Sequence, residues 1–167
     1  MLAVLAYGGL RVGELCRLRV KDYKEFGGHR ILEVRGKAGK ERRVPLHPEA
    51  VEQIETWLDV GVLRETEGPL FRPTRTARGR GHDGFGEQAL SRRAVQYLIT
   101  RYVRRLGLDP NVNVHSFRVT ALTTARERGA DIVDLQDFAG HADPRTTLIY
   151  IRNRDRMSRS PAYVLKY

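Results

Sequence analysis

The chain has 167 residues, 41% of them hydrophobic and 30% charged, with 16 Gly and 7 Pro. That length fits one domain of roughly 100–200 residues, and the composition excludes collagen-like, low-complexity and wholly disordered classes. Thirty Lys and Arg against twenty Asp and Glu give a net charge of +10. Only five of those cations are Lys, so the surplus is guanidinium, whose planar donor fork matches phosphate and points to nucleic acid. Composition alone leaves scattered, solvated charge open as the alternative.

Met1 to Tyr7 is apolar but lacks a basic leader, and it meets Gly8-Gly9 far short of the ~20 residues of a membrane span. It reads as the second half of a buried helix, as if the chain opened inside a larger domain. A second helix follows from Leu10 to Arg19, with Arg11 and Glu14 on one face. Around Gly27-Gly28 the period changes to two: Ile31 to Arg35, a basic turn Gly36-Lys37-Ala38-Gly39-Lys40, then Glu41 to Leu46. This is a β-hairpin with a basic tip. Pro48 opens an amphipathic helix to about Asp59, with Trp57 in the core. Between Phe71 and Gln88, alternating Arg and Gly read as a mobile basic loop without a packed element. Ser91 caps a long helix ended by Gly107. Three helices complete the chain: Val114 to Arg128, Asp131-capped Ile132 to Ala139 closed by Gly140, and one opened by Asp143-Pro144 that runs to about Arg156.

The lone Cys16 allows no internal disulfide, and the five His show no zinc spacing, so a reducing intracellular compartment without a structural metal is expected. Neither a G-x-S-x-G elbow nor an H-E-x-x-H pair occurs. The Gly36-Lys37 turn is not a P-loop, because Ala38 follows the lysine and strands flank it on both sides. What remains is an ordered set of polar groups: Arg11, Lys37, His115 with Arg118, His141 and Tyr150. His115 and Arg118, three apart on an opening helical turn, share a side where free backbone N–H groups also favour an anion. Taken singly, each has an ordinary reading: a helix-start His beside a solvated Arg, a His satisfying a carbonyl between helices, a Tyr in the core.

In this order the set resembles the catalytic domain of tyrosine recombinases, the phage-integrase family, from about Leu5 to Arg154. The family's first-arginine box is matched by Gly9-Leu10-Arg11-Val12-Gly13-Glu14-Leu15, and its lysine hairpin by Gly36-Lys37-Ala38-Gly39-Lys40-Glu41-Arg42 with Val44-Pro45-Leu46 behind. Its H-x-x-R box is matched by His115-Ser116-Phe117-Arg118, its Gly-His box by Gly140-His141, and its nucleophile by Tyr150 in Thr146-Thr147-Leu148-Ile149-Tyr150. One departure is Val119, where many members carry a second His. The resemblance implies an α+β, mainly α fold: a helical catalytic domain with a small antiparallel β-hairpin or three-stranded sheet that carries the lysine. Residues 1–157 would be that domain without the start of its first helix and without the N-terminal DNA-binding domain, and residues 158–167 a tail docking in trans.

The implied activity is site-specific DNA recombination, integration or excision, through a 3′-phosphotyrosine intermediate with no metal, ATP or cofactor. Arg11 and Arg118 would stabilise the charge that builds on phosphorus. His115 would take the tyrosine proton, His141 would donate to a non-bridging oxygen, Glu14 would orient Arg11, and Lys37 would protonate the departing 5′ oxygen. Lys40, Arg42, Arg75, Arg78, Arg80, Arg92 and Arg93 are expected phosphate contacts. The partner is duplex DNA, with a tetrameric synapse when full length, no membrane, and a cytoplasmic, nucleoid-associated location. Three other readings remain at this point: a type IB topoisomerase-like activity, a catalytically silent DNA-binding remnant that regulates a full-length recombinase, and a basic RNA-binding protein.

Overall fold

The computed structural model describes residues 1–36, 39–77 and 80–151, with the backbone alone at 75–77, 80–83 and 149–151. Helix α1 (Leu2–Gly8) and the short α2 (Val12–Arg17) meet at Gly9, which turns the chain in the left-handed region at φ 56°. A Cβ there would meet the Phe138 ring at 2.6 Å, so the position requires glycine for both conformation and space. A 3₁₀ turn (Val20–Asp22) leads into a three-stranded antiparallel sheet of β1 (Tyr23–Phe26), β2 (His29–Arg35) and β3 (Glu41–Pro45), ordered β1-β2-β3. The register sets Leu32 opposite Val44 and Val34 opposite Arg42. The sheet therefore buries Leu32, Val34 and Val44 in the main core, with Ile31 buried on the other face of β2.

Each later helix starts where a capping side chain replaces a missing backbone acceptor. Helix α3 (Pro48–Val60) has Pro at its first position and buries Ala50, Ile54 and Leu58 at four-residue spacing. In α4 (Arg92–Arg105) the Ser91 hydroxyl accepts from the Ala94 N–H, and Val95, Ile99 and Val103 form the inner stripe. In α5 (Val114–Glu127) Asn113 is the cap, and the inner stripe is Val114, Arg118 and Leu122. A guanidinium thus occupies a position where the helix period calls for an apolar side chain. Helix α6 (Ile132–Ala139) is capped by Asp131 and ends at Gly140 in the left-handed conformation, and α7 (Pro144–Ile151) follows.

The main core gathers Val4, Leu5, Leu10, Leu15, Leu32, Ile54, Leu70 and Ile99, and a smaller cluster of Leu122, Leu135 and Ala139 binds α6 to α5. Helix α1 lies against both α5 and α3, so the turn after α1 comes within reach of α5.

The segment expected as a loop between Phe71 and Gln88 is instead paired: β4 (Thr74–Ala77) and β5 (Arg80–Phe85) form an antiparallel ribbon with register shifts along it. The glycines did not exclude pairing, because a ladder is held by backbone groups, and Gly84 at φ 110° lies beside the shifted register. The ribbon is attached to the body through Phe85, which meets Trp57 edge-on at 4.6 Å, while the Trp57 indole N–H donates to the Leu70 carbonyl at 2.7 Å. The predicted end of the last helix near Arg156 lies outside the described residues, as do Lys37, Ala38, Arg78 and the 158–167 tail.

Gly140 combines φ 61° with a position where a Cβ would lie 2.8 Å from the Arg42 guanidinium. Gly140→Ala is expected to lose about 1–2 kcal/mol from the left-handed conformation alone, read as a lower denaturant midpoint at unchanged slope.

Candidate active site

Arg118 is 2% exposed, and a guanidinium so placed must have acceptors around it. Its Nη1 donates to the Gly9 carbonyl and its Nη2 to the Ala139 carbonyl at 2.6 Å. The left-handed turn at Gly9 aims the first carbonyl at α5, and the C-terminus of α6 supplies the second. Arg11 reaches the same Ala139 oxygen at 3.4 Å, and Arg42 Nε donates to the neighbouring Phe138 carbonyl at 3.1 Å. Three cations therefore meet the last carbonyls of α6, the end where a helix carries partial negative charge.

Glu14 lies beneath them with its side chain 2% exposed. Its Oε1 accepts from Arg11 Nη1 at 2.9 Å and Arg42 Nη1 at 3.0 Å, and its Oε2 accepts from Arg42 Nη2 and the Arg11 backbone N–H, both at 2.9 Å. Burial by itself pushes this carboxyl up. The Arg42 and Arg11 hydrogen bonds and charges outweigh it and hold the group at about 2. The carboxylate is thus ionised across the working range and fixes both guanidiniums.

His141 is buried, with Nε2 at 2.8 Å from Arg118 Nη2 and Nδ1 at 2.9 Å from the Thr147 hydroxyl. A guanidinium has only donors, so Nε2 must carry the lone pair here and the proton sits on Nδ1, donated to Thr147. Burial, then the charges of Arg118, Arg11 and Arg42, lower the imidazole to about 4. At neutral pH the ring is uncharged. Thr147, 1% exposed, was given no role in the sequence reading. Its clue is the spacing in Thr147-Leu148-Ile149-Tyr150, which puts it one turn before the tyrosine on α7.

Arg11, Glu14, Arg42 and His141 line a groove of about 1060 Å³ together with Arg17, Lys40, Arg43 and Arg92 and with Asp134 and Asp137 of α6. The model of the phage integrase family matches residues 1–157. The chain belongs to the phage integrase family. Tyrosine recombinase XerC of Pelobacter propionicus is 35% identical over 150 residues, which is 90% of this chain and 45% of that protein. The crystal structure of XerA recombinase shares the fold at a TM-score of 0.76 and 29% identity, covering 99% of this chain and 57% of that one. XerH site-specific recombinase bound to difH substrate shares the fold at a TM-score of 0.73, with 23% identity over 98% of this chain and 45% of that one. The chain spans about half the length of the curated relatives it matches.

Against the residues that the resemblance to phage integrases marked, the structure brings Arg11, Glu14, Arg118 and His141 into one corner. His115 stands exposed on the first turn of α5, three residues before Arg118. Tyr150 lies in α7 by its backbone, and Lys37 lies outside the described residues between the ends of β2 and β3. Lys40, Arg92 and Arg93 are exposed. Arg75 and Arg80 sit on the ribbon strands, with only their backbone described, and Arg78 lies outside the described residues. Arg42, expected to contact phosphate, has its Nε, Nη1 and Nη2 engaged with Phe138 and Glu14. Among the described residues, no helix is long and apolar enough to cross a membrane.

The lowered His141 value has a sign for stability. The unfolded ring, near 6.5, binds a proton before the folded ring does, at about 4. The stabilising contribution is therefore complete above about pH 6.5 and lost as pH falls towards 4. Denaturant midpoints measured from pH 7.5 to 4.5 should fall, and His141→Gln should flatten that decline.

Proposed function

We propose that this chain cleaves and rejoins DNA strands as the catalytic part of a site-specific tyrosine recombinase, with Tyr150 as nucleophile. The observation that carries the reading is the corner where Arg11, Arg118 and His141 converge while Thr147, on the helix that bears Tyr150, is bonded to His141. A phosphodiester resists attack because its anionic oxygens repel the nucleophile, and fixed cations aimed at those oxygens remove that barrier. The neighbouring recombinase XerH, solved on its DNA substrate, supports duplex DNA as the partner. A tetrameric synapse and a tail that docks on a neighbouring subunit belong to the same proposal for the intact protein.

The Tyr150 Oη attacks phosphorus and forms a P–O bond as the bond to the 5′ oxygen breaks. His115 accepts the phenolic proton and Lys37 delivers a proton to the departing oxygen. The new phosphotyrosine ester keeps the phosphodiester energy, so a different 5′ hydroxyl reverses the step without an external energy source. Arg11 and Arg118 turn donors toward the non-bridging oxygens. When Arg118 shifts toward phosphate, His141 Nε2 loses its donor. A hydroxyl both donates and accepts, so Thr147 can hold Nδ1 in either tautomer. Uptake of a solvent proton at Nε2 and release of the Nδ1 proton to solvent change the tautomer, and the ring then presents Nε2–H to the phosphate without moving.

Tyr150→Phe should abolish covalent attachment to a nicked suicide substrate while leaving DNA binding nearly unchanged. An adduct on the Phe variant, or one mapped by peptide analysis to Tyr163 or Tyr167, would overturn the assignment. Lys37→Ala should slow cleavage of an ordinary substrate strongly and of a 5′-bridging phosphorothiolate much less, since sulfur departs without a proton. Lys40→Ala should not show this pattern, and equal rescue of both variants would remove Lys37 from the acid role.

A further inference from the structure

We propose that Arg42 is a positioning residue for phosphate chemistry: it supplies the second positive charge that lets buried Glu14 hold Arg11 in place without cancelling Arg11's charge. The inference rests on the function proposed above. Its starting point is a difference in exposure. The Arg11 side chain is 45% exposed, whereas Arg42 is 12% and Glu14 2% exposed. Both line the groove, but Arg11 opens onto it while the Arg42 guanidinium nitrogens are spent on Glu14 and the Phe138 carbonyl.

A carboxylate that orients an arginine creates a difficulty. With one partner, the pair is neutral, and a phosphate arriving at Arg11 meets no net charge. Glu14 has two partners, each within 2.9–3.0 Å, so the cluster of one anion and two cations keeps a net positive charge. Arg42 takes both carboxylate oxygens in a fork, which leaves Arg11 a single side-chain bond to Oε1. Arg11 is thereby steered yet retains donors for a ligand. A lysine cannot reproduce the two parallel bonds. Arg42 also anchors to α6 through the Phe138 carbonyl, and it stands on β3, whose start closes the lysine turn through the Gly36 N–H to Lys40 carbonyl bond of 2.7 Å. Other charged groups near this carboxylate are Arg92, whose guanidinium packs over Gly13, and the Arg118–His141 pair. Neither hydrogen-bonds Glu14.

The test is a double-mutant cycle on the full chain, with single-turnover cleavage of suicide substrates at saturating DNA. One substrate carries a phosphodiester and the other an uncharged methylphosphonate at the cleaved position. Arg42→Met leaves a buried carboxylate facing Arg11 alone, so cleavage of the phosphodiester should fall about a hundredfold. Glu14→Gln combined with Arg42→Met removes one charge of each sign and should recover about tenfold of that loss, a coupling expected only for residues that act on each other. On methylphosphonate, which needs less positive charge, Arg42→Met should lie within a few-fold of wild type. Equal slowing on both substrates with no recovery in the double variant overturns the proposal and leaves Arg42 as scaffold. An unchanged rate with a reduced salt slope of binding also overturns it and leaves a phosphate contact. Should Arg42→Met not fold, Arg42→Lys decides: it keeps the charge, so it should cleave the phosphodiester within about tenfold of wild type, and a full hundredfold loss counts against the charge role. If wild type forms no adduct on either substrate, it is the recombinase reading that fails.

Discussion

Glu14 shared between two arginines is the contact on which the rest of the site depends. A buried carboxylate is costly unless it is fully paired, and Arg11 and Arg42 pair it from different elements. The same two guanidiniums then need acceptors for their remaining donors, which the last carbonyls of α6 provide. Arg118 reaches that helix end from α5 and the Gly9 carbonyl from the turn after α1. One anion and one helix terminus thus fix α2, β3, α5 and α6 relative to each other. Displacing any of them would strand a charge.

This arrangement gathers several cations in one corner before any charge arrives there. Cations assembled without counter-charge would repel one another, and folding alone would not hold them together. Glu14 and the carbonyl dipoles offset that repulsion only in part, and the remaining positive charge faces the groove. Preorganised donors of this kind act without reorganisation when charge develops on a substrate. The low His141 value belongs to the same balance, because a second proton on that ring would add charge to an already cationic corner.

What the sequence disclosed follows the range over which each signal acts. Caps are local, and Ser91, Asp131 and Gly140 end or begin helices where their chemistry predicts. The β2–β3 hairpin was legible from its period of two. The ribbon between Thr74 and Phe85 was missed because its stability comes from a backbone ladder and from Phe85 on Trp57, a contact across 28 positions that glycine-rich composition does not reveal. Arg42 looked like one more basic residue near a basic turn. Its partners lie 28 and 96 residues away, and nothing in the local pattern distinguishes a guanidinium facing solvent from one that meets a buried acid. Arg118 was singled out by the H-x-x-R spacing, but its burial on the inner stripe of α5 was not legible, because its acceptors come from Gly9 and Ala139 on other elements.

Thr147 extends the argument from charge to geometry. It is buried, it bonds the His141 ring that touches Arg118, and it stands one helical turn from Tyr150. A valine of similar shape would fill the same space but could not follow the imidazole proton. With Thr147 in place, the orientation of α7 and the protonation pattern of His141 are linked: a shift of that helix changes the partner of Nδ1, and a change at Nε2 is felt at the hydroxyl. Helix α7, which carries Tyr150, and the His141 ring are thereby linked through the Thr147 hydroxyl, in a corner whose cations are already fixed by Glu14.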